Sequence, residues 1–290
     1  MKKIFGRLSG SLDLSWPKLI AAAVLAAVYT AAIALIPGLQ YTSFHSICVT
    51  LEVWILFGIL IILNSKSNLD SALKCFVFFL ISQPLIYLLQ VPFNVYGWGI
   101  FGYYRNWFIW TVLCFPMGYI GYYMKKDKWW GYLILFPMIL LTAYCYRTYF
   151  EDFLFAAPRY LLICLFCILA MIFYPVSIFK DRKIKVAGAL IGALVSIAVT
   201  VFCLLHPPVY SFEALLAGSK YQFDDSYKAY LTEDKYGEAK IIYLDSLENY
   251  AVHVDLKKAG QTTLVLESPA GEKMEFDLNA ERDWYEITRK

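Results

Sequence analysis

The sequence predicts an α-helical integral membrane protein, a bundle of seven helices followed by a small all-β domain outside the membrane. Three observations carry this. Of the 290 residues, 60% are hydrophobic, 18% aromatic and only 17% charged, far from the average of soluble domains. The apolar excess stops at His206-Pro207-Pro208, where two prolines hold the chain extended as it leaves the last apolar segment. Charge divides at the same point: residues 1–206 hold sixteen basic and seven acidic side chains, net +9, whereas residues 207–290 hold ten and sixteen, net −6.

After an N-terminal segment at 1–16, the template of about 20 mainly apolar residues per membrane helix is met at 17–37, 44–63, 73–92, 106–124, 129–146, 158–179 and 184–206. The first segment is too long in its apolar run for a cleaved signal, and no small-residue cleavage motif follows it. Lys and Arg resist translocation. One set of flanks holds thirteen of them (Lys2, Lys3, Arg7, Lys18; Lys66, Lys74; Lys125, Lys126, Lys128; Lys180, Arg182, Lys183, Lys185), and the alternate set holds three, Arg105, Arg147 and Arg159. The N-terminus is therefore expected in the cytoplasm and residues 207–290 outside the plasma membrane. Alanines in the first segment, and Gly188, Gly192 and Ser196 in the seventh, place small residues four apart, a spacing that lets helix backbones approach closely.

Beyond Pro207 the period changes to the alternation of strands. Segments 239–244, 250–256, 262–267, 274–278 and 285–288, with weaker ones at 221–223 and 227–231, supply about seven strands, enough for an immunoglobulin-like sandwich. The stretch VDLKKAGQTTLVLESPAGEKMEFDL (254–278) resembles the last strands of bacterial immunoglobulin-like surface domains, without their cysteine or tryptophan. That resemblance implies adhesion or scaffolding by analogy.

The chemistry-bearing residues are few. All seven cysteines (48, 75, 114, 145, 164, 167 and 203) lie in apolar segments, so no disulfide framework is implied. Cys164 and Cys167 form a CxxC with no basic neighbour to favour a thiolate. His45, His206 and His253 are far apart, and no metalloprotease, nucleophile-elbow, phosphate-loop or calcium-loop motif is present. The expectation is no metal, no cofactor and no nucleic-acid partner.

An ionisable residue inside a membrane segment is a functional hypothesis by default, and Glu52, in CVTLEVWILFG, is the one deep acid. Gln83, at a matching depth in the next segment, is the expected partner, with Tyr87 one turn further along the same face. The pair reads either as a proton- or cation-coupled site or as a neutral acid and amide that pin the hairpin. Pro84 should kink its helix near Leu80 or Ser82. A second candidate cluster, on the outer flanks, comprises Arg105, Arg147, Glu151, Asp152 and Arg159. It reads as anion or headgroup binding, or as snorkelling anchors and salt bridges.

These features lead to a non-enzymatic membrane protein that binds lipid and presents residues 207–290 to an envelope protein or polymer. The alternative is a transporter, or a membrane enzyme acting on a lipid-linked or small polar substrate, with Glu52 as its titrating group.

Overall fold

A computed structural model describes residues 13–40, 42–156, 158–216, 223–245, 248–281 and 284–290. Lys2, Lys3 and Arg7 of the basic flanks, and Tyr221 and Gln222 of one weak strand, lie outside these residues. The chain forms two compact units, Met1–Tyr149 with Leu161–Thr200, and Phe150–Tyr160 with Val201–Lys290.

The first unit is helical. Its elements are α1 (Trp16–Leu35), α2 (Ser43–Val49), α3 (Leu51–Leu63), α4 (Asn68–Gln90), α5 (Phe101–Gly121), α6 (Trp129–Ala156), α7 (Leu161–Ile178) and α8 (Arg182–Leu205), the last residues of α6 and α8 belonging to the second unit. Every expected apolar segment is helical, the second in two pieces. Among the described residues, five helices (α1, α4, α6, α7 and α8) are long and apolar enough to cross a membrane. The pair α2 and α3, bent by 44°, makes a sixth if it is one span. Against the seven membrane helices expected, five or six are thus of membrane length. α5 falls short because its opening, FGYYRNW, spends positions on glycine, arginine, asparagine and ring hydroxyls. Helix α4 runs through Pro84 without interruption, as α5, α6 and α7 run through Pro116, Pro137 and Pro175.

Small residues set the helix contacts, as their spacing suggests. Ala23, Ala27 and Ala31 are buried along one stripe of α1. A Cβ added at Gly192 would lie 2.4 Å from the Met171 carbonyl oxygen, and one at Gly188 would lie 2.6 Å from Pro175 Cβ. α7 and α8 therefore pack with a backbone approach that any side chain would block. Ser71 Oγ donates to the Gly118 carbonyl at 2.8 Å, joining α4 to α5.

Among the described residues, the second unit holds seven strands in two antiparallel sheets. One has the order β1 (Tyr210–Ala214), β4 (Asn249–Leu256), β3 (Gly237–Leu244). The other runs β2 (Lys228–Leu231), β5 (Gly260–Glu267), β6 (Lys273–Ala280), β7 (Tyr285–Arg289). Val252, Val254 and Leu256 of β4 share one core with Leu264 and Leu266 of β5 and with Phe276 and Leu278 of β6, so the inner faces of both sheets meet. The partition differs from the immunoglobulin one, which puts the first, second, fourth and fifth strands together. Here the first strand pairs with the fourth and the last three form a meander. β1 was not among the expected strands, and Phe223 lies in no strand.

This unit also takes in the end of α6, which runs beyond the expected segment 129–146. Phe155, 1% exposed, belongs to the β core, and its ring meets that of Tyr210 edge-on at 4.5 Å. Its carbonyl accepts from Ala259 N at 3.0 Å.

Candidate functional site

The element that positions Glu52 is the break between α2 and α3. Thr50 adopts φ −98° and ψ 179°, an extended geometry that ends one helix and serves as N-cap of the next. Thr50 N still donates to Ser46 O at 3.0 Å, as in an unbroken helix. No proline or glycine is involved. The threonine hydroxyl, which competes for backbone acceptors, lies between two of them: the Ser46 carbonyl in α2 and Glu52 Oε2 in α3.

Glu52 sits in the first turn of α3, where the unpaired N–H groups of a helix start favour negative charge by up to about 2 kcal/mol in partly buried settings. It is 1% exposed; its Oε1 meets no N–H or O–H donor, and the Cys145 thiol lies within hydrogen-bonding reach of the carboxyl group. Cys145 and Tyr149 of α6 and Cys167 and Tyr174 of α7 lie near enough to feel its charge. Tyr149 donates its hydroxyl to Thr50 Oγ1 at 2.8 Å, while the buried Tyr174 hydroxyl is unpartnered. The site is a buried carboxyl group enclosed by hydroxyls and thiols at a helix break.

Gln83 and Tyr87 do not join it. α3 and α4 are neighbours, for Trp54 packs on Phe78 and Phe79 with centroids 6.3 and 5.8 Å away. Helical residues advance about 100° each, so Glu52, two positions before Trp54, points to the far side of α3. No hydrogen bond links Glu52 with Gln83. Gln83 instead lines a cavity of about 70 Å³ together with Trp54, Cys75, Trp107, Trp110 and Thr111. Tyr87 packs among Phe101 and Tyr104 of α5, at 6.1 and 5.9 Å.

The second candidate cluster divides as well. Arg105 is exposed in the first turns of α5 and Arg147 is exposed on α6. Glu151 is half-buried and Asp152 buried, the latter accepting from the Tyr210 hydroxyl at 3.5 Å. Arg159 grips Glu281 with both carboxylate oxygens, at 2.8 and 2.9 Å. Asp152 and Arg159 thus serve the β unit.

Thr50, Tyr149, Cys145, Cys167 and Tyr174 are the residues that sequence reasoning missed. A signal for the first existed: a Ser or Thr with an acid in the following turn marks a helix start, and Thr50-Leu51-Glu52 carries it inside an apolar run. Compared with protein-family models, with curated proteins and with solved structures, the chain matches nothing in any of the three.

Proposed function

We propose that the helical unit binds and releases a proton or small cation within the membrane through Glu52, as a carrier coupled to that cation does. The observation that carries this is a nearly fully buried carboxyl group, with an oxygen that meets no N–H or O–H donor, at a helix break. Discontinuous membrane helices place half-helix ends at ion and substrate sites in transporters. The accompanying topology has seven crossings, α2 with α3 forming one and α5 another, in the plasma membrane. The thirteen-to-three bias of Lys and Arg between alternate flanks supports a cytoplasmic N-terminus and an extracytoplasmic β unit. In proteoliposomes enclosing a pH-sensitive dye, Glu52→Gln should abolish the ion-driven pH change seen with the native chain, and Glu52→Asp should retain part of it. Equal responses from native and Glu52→Gln protein at matched insertion would refute the proposal.

A second reading, a non-enzymatic protein that presents the β unit to an envelope protein or polymer, is favoured by one observation. Two separate stretches of the chain, Phe150–Tyr160 and Val201 onward, enter that unit, as suits a domain held for display. Cross-linking in native membranes should then capture a partner through β-unit residues. Capture through helical residues alone would count against it.

A further inference from the structure

The Thr50 hydroxyl carries one hydrogen and two lone pairs. One lone pair receives the Tyr149 hydroxyl at 2.8 Å. Two acceptors compete for the single hydrogen: the Ser46 carbonyl on the α2 side of the break and Glu52 Oε2 on the α3 side. An ionised carboxylate can only accept, so Thr50 must then turn its hydrogen to Glu52 and withdraw it from Ser46. With a proton on Oε2 the roles reverse. The carboxyl donates to the second lone pair of Thr50, and the hydroxyl hydrogen returns to Ser46 O. Tyr149, Glu52, Thr50 and Ser46 then form one chain in which Thr50 makes every hydrogen bond available to it.

A metal cation finds no comparable arrangement. Calcium and magnesium take six or more oxygen ligands. Here Tyr149 and Ser46 already engage Thr50 Oγ1, and the remaining neighbours of Glu52 include the thiols of Cys145 and Cys167. Among the described residues, no three or more His, Cys, Asp or Glu side chains are grouped so as to hold a metal ion. The groups that face Glu52 are Cys145 and Tyr149 from α6 and Cys167 and Tyr174 from α7. α4 directs Gln83 into the cavity on the other side of α3, and α1 contributes Thr30, which donates to the Cys48 carbonyl at 3.2 Å.

We propose that the species bound at Glu52 is a proton, and that its arrival closes a hydrogen-bonded staple, Glu52 to Thr50 to Ser46, across the break between α2 and α3; its departure opens the link to Ser46. This rests on the reading of Glu52 as the cation-handling group, and it fixes which cation and what the cation does.

The test is infrared spectroscopy of the full chain in lipid, titrated with acid in the presence and absence of sodium and potassium. A protonated-carboxyl C=O band should grow on acidification, vanish in Glu52→Gln and keep the same midpoint with or without either salt. In Thr50→Val it should persist but shift in frequency, because its hydrogen-bond acceptor has gone. Tyr149→Phe, which keeps the ring and leaves Thr50 in place, should retain the titration. A midpoint displaced tenfold or more in proton concentration by sodium or potassium would overturn the proposal in favour of a metal ion. A spectrum with no Glu52-dependent band, or one untouched by Thr50→Val, would overturn the proton or the staple respectively. The readout needs no flux, so these failures are distinct from a Glu52→Gln protein that still transports.

Discussion

Phe155 offers a direct check on the β unit, because a residue from a helix of membrane length completes the core of a sheet domain. The perturbation is Phe155→Ala, with Phe155→Leu as the milder companion. The ring is 1% exposed and packs within the cluster that holds Val252, Val254, Leu264 and Phe276. Truncating a buried phenylalanine to alanine costs about 3–5 kcal/mol, of which the edge-on pair with Tyr210 accounts for about 0.5–1.5 kcal/mol. A domain of ordinary stability holds about 5–15 kcal/mol in total. At about 4–8 °C per kcal/mol for a unit of this size, the expected fall in Tm is about 12–40 °C. Phe155→Leu, nearer in volume, should cost about 1.5 kcal/mol. The assay is amide hydrogen exchange on the full chain in nanodiscs, read over β4, β5 and β6. Protection should drop in these strands in proportion to the two substitutions. Unchanged exchange there in Phe155→Ala would refute the assignment of the α6 end to the β core.

Three further outcomes are expected. Gly192→Leu should prevent the approach of α7 to α8, since even its Cβ would lie 2.4 Å from the Met171 carbonyl oxygen, which backbone cannot yield; a sharp loss of folded, detergent-resistant protein checks this, while a normal yield would contradict the packing. Asp255 is held below its ordinary value of 3.8, first by the Ser211 hydrogen bond and further by His253 and Lys240, against the opposing effect of burial. A depressed carboxyl stabilises the fold above its unfolded value and loses that contribution as pH falls through the folded one. Ser211→Ala should thus destabilise the β unit at neutral pH, and the difference should vanish in strong acid; a gap that persists there would rule this out. Arg159→Ala breaks an exposed pair in which one guanidinium nitrogen, Nη1, is shared by both carboxylate oxygens of Glu281, so it should cost under about 1 kcal/mol. That loss should shrink further in high salt, and a salt-independent loss of several kcal/mol would point to a buried role instead.

The positions of the helices were legible because about 20 apolar residues is a length that few other structures need, and the glycine spacing in α8 foretold its close contact with α7. The interruption at Thr50 was not, because bends are sought at prolines, and here four prolines lie inside intact helices while a threonine ends one. The direction of Glu52 depends on which face of α3 meets α4. Trp54 decides that, and its partners Phe78 and Phe79 lie more than twenty residues on. The locations of six strands, all but β1, followed from alternation, yet their partition into sheets did not, since period-2 patterning says which face is buried and nothing about which strand lies alongside. Phe155 drew no expectation, because FEDFLFAAPR is equally at home at a headgroup layer or under a sheet.

The break at Thr50 differs in one respect from any bend that proline makes. A proline lacks its amide hydrogen in every conformation, whereas Thr50 keeps that hydrogen and holds it on Ser46 O at 3.0 Å. What departs from the helix is its ψ of 179°, against about −42° in a regular helix. Were that angle to return to the helical value, Ser43 to Leu63 would become a single rod about 31 Å long at 1.5 Å per residue, close to the thickness of a hydrocarbon core. Bent by 44°, the same stretch spans about 3 Å less along the direction of α3. A mismatch of a few ångströms costs fractions of a kcal/mol per ångström, so bilayer thickness would itself weigh on this single torsion, thicker lipid favouring the straight form and thinner lipid the bent one.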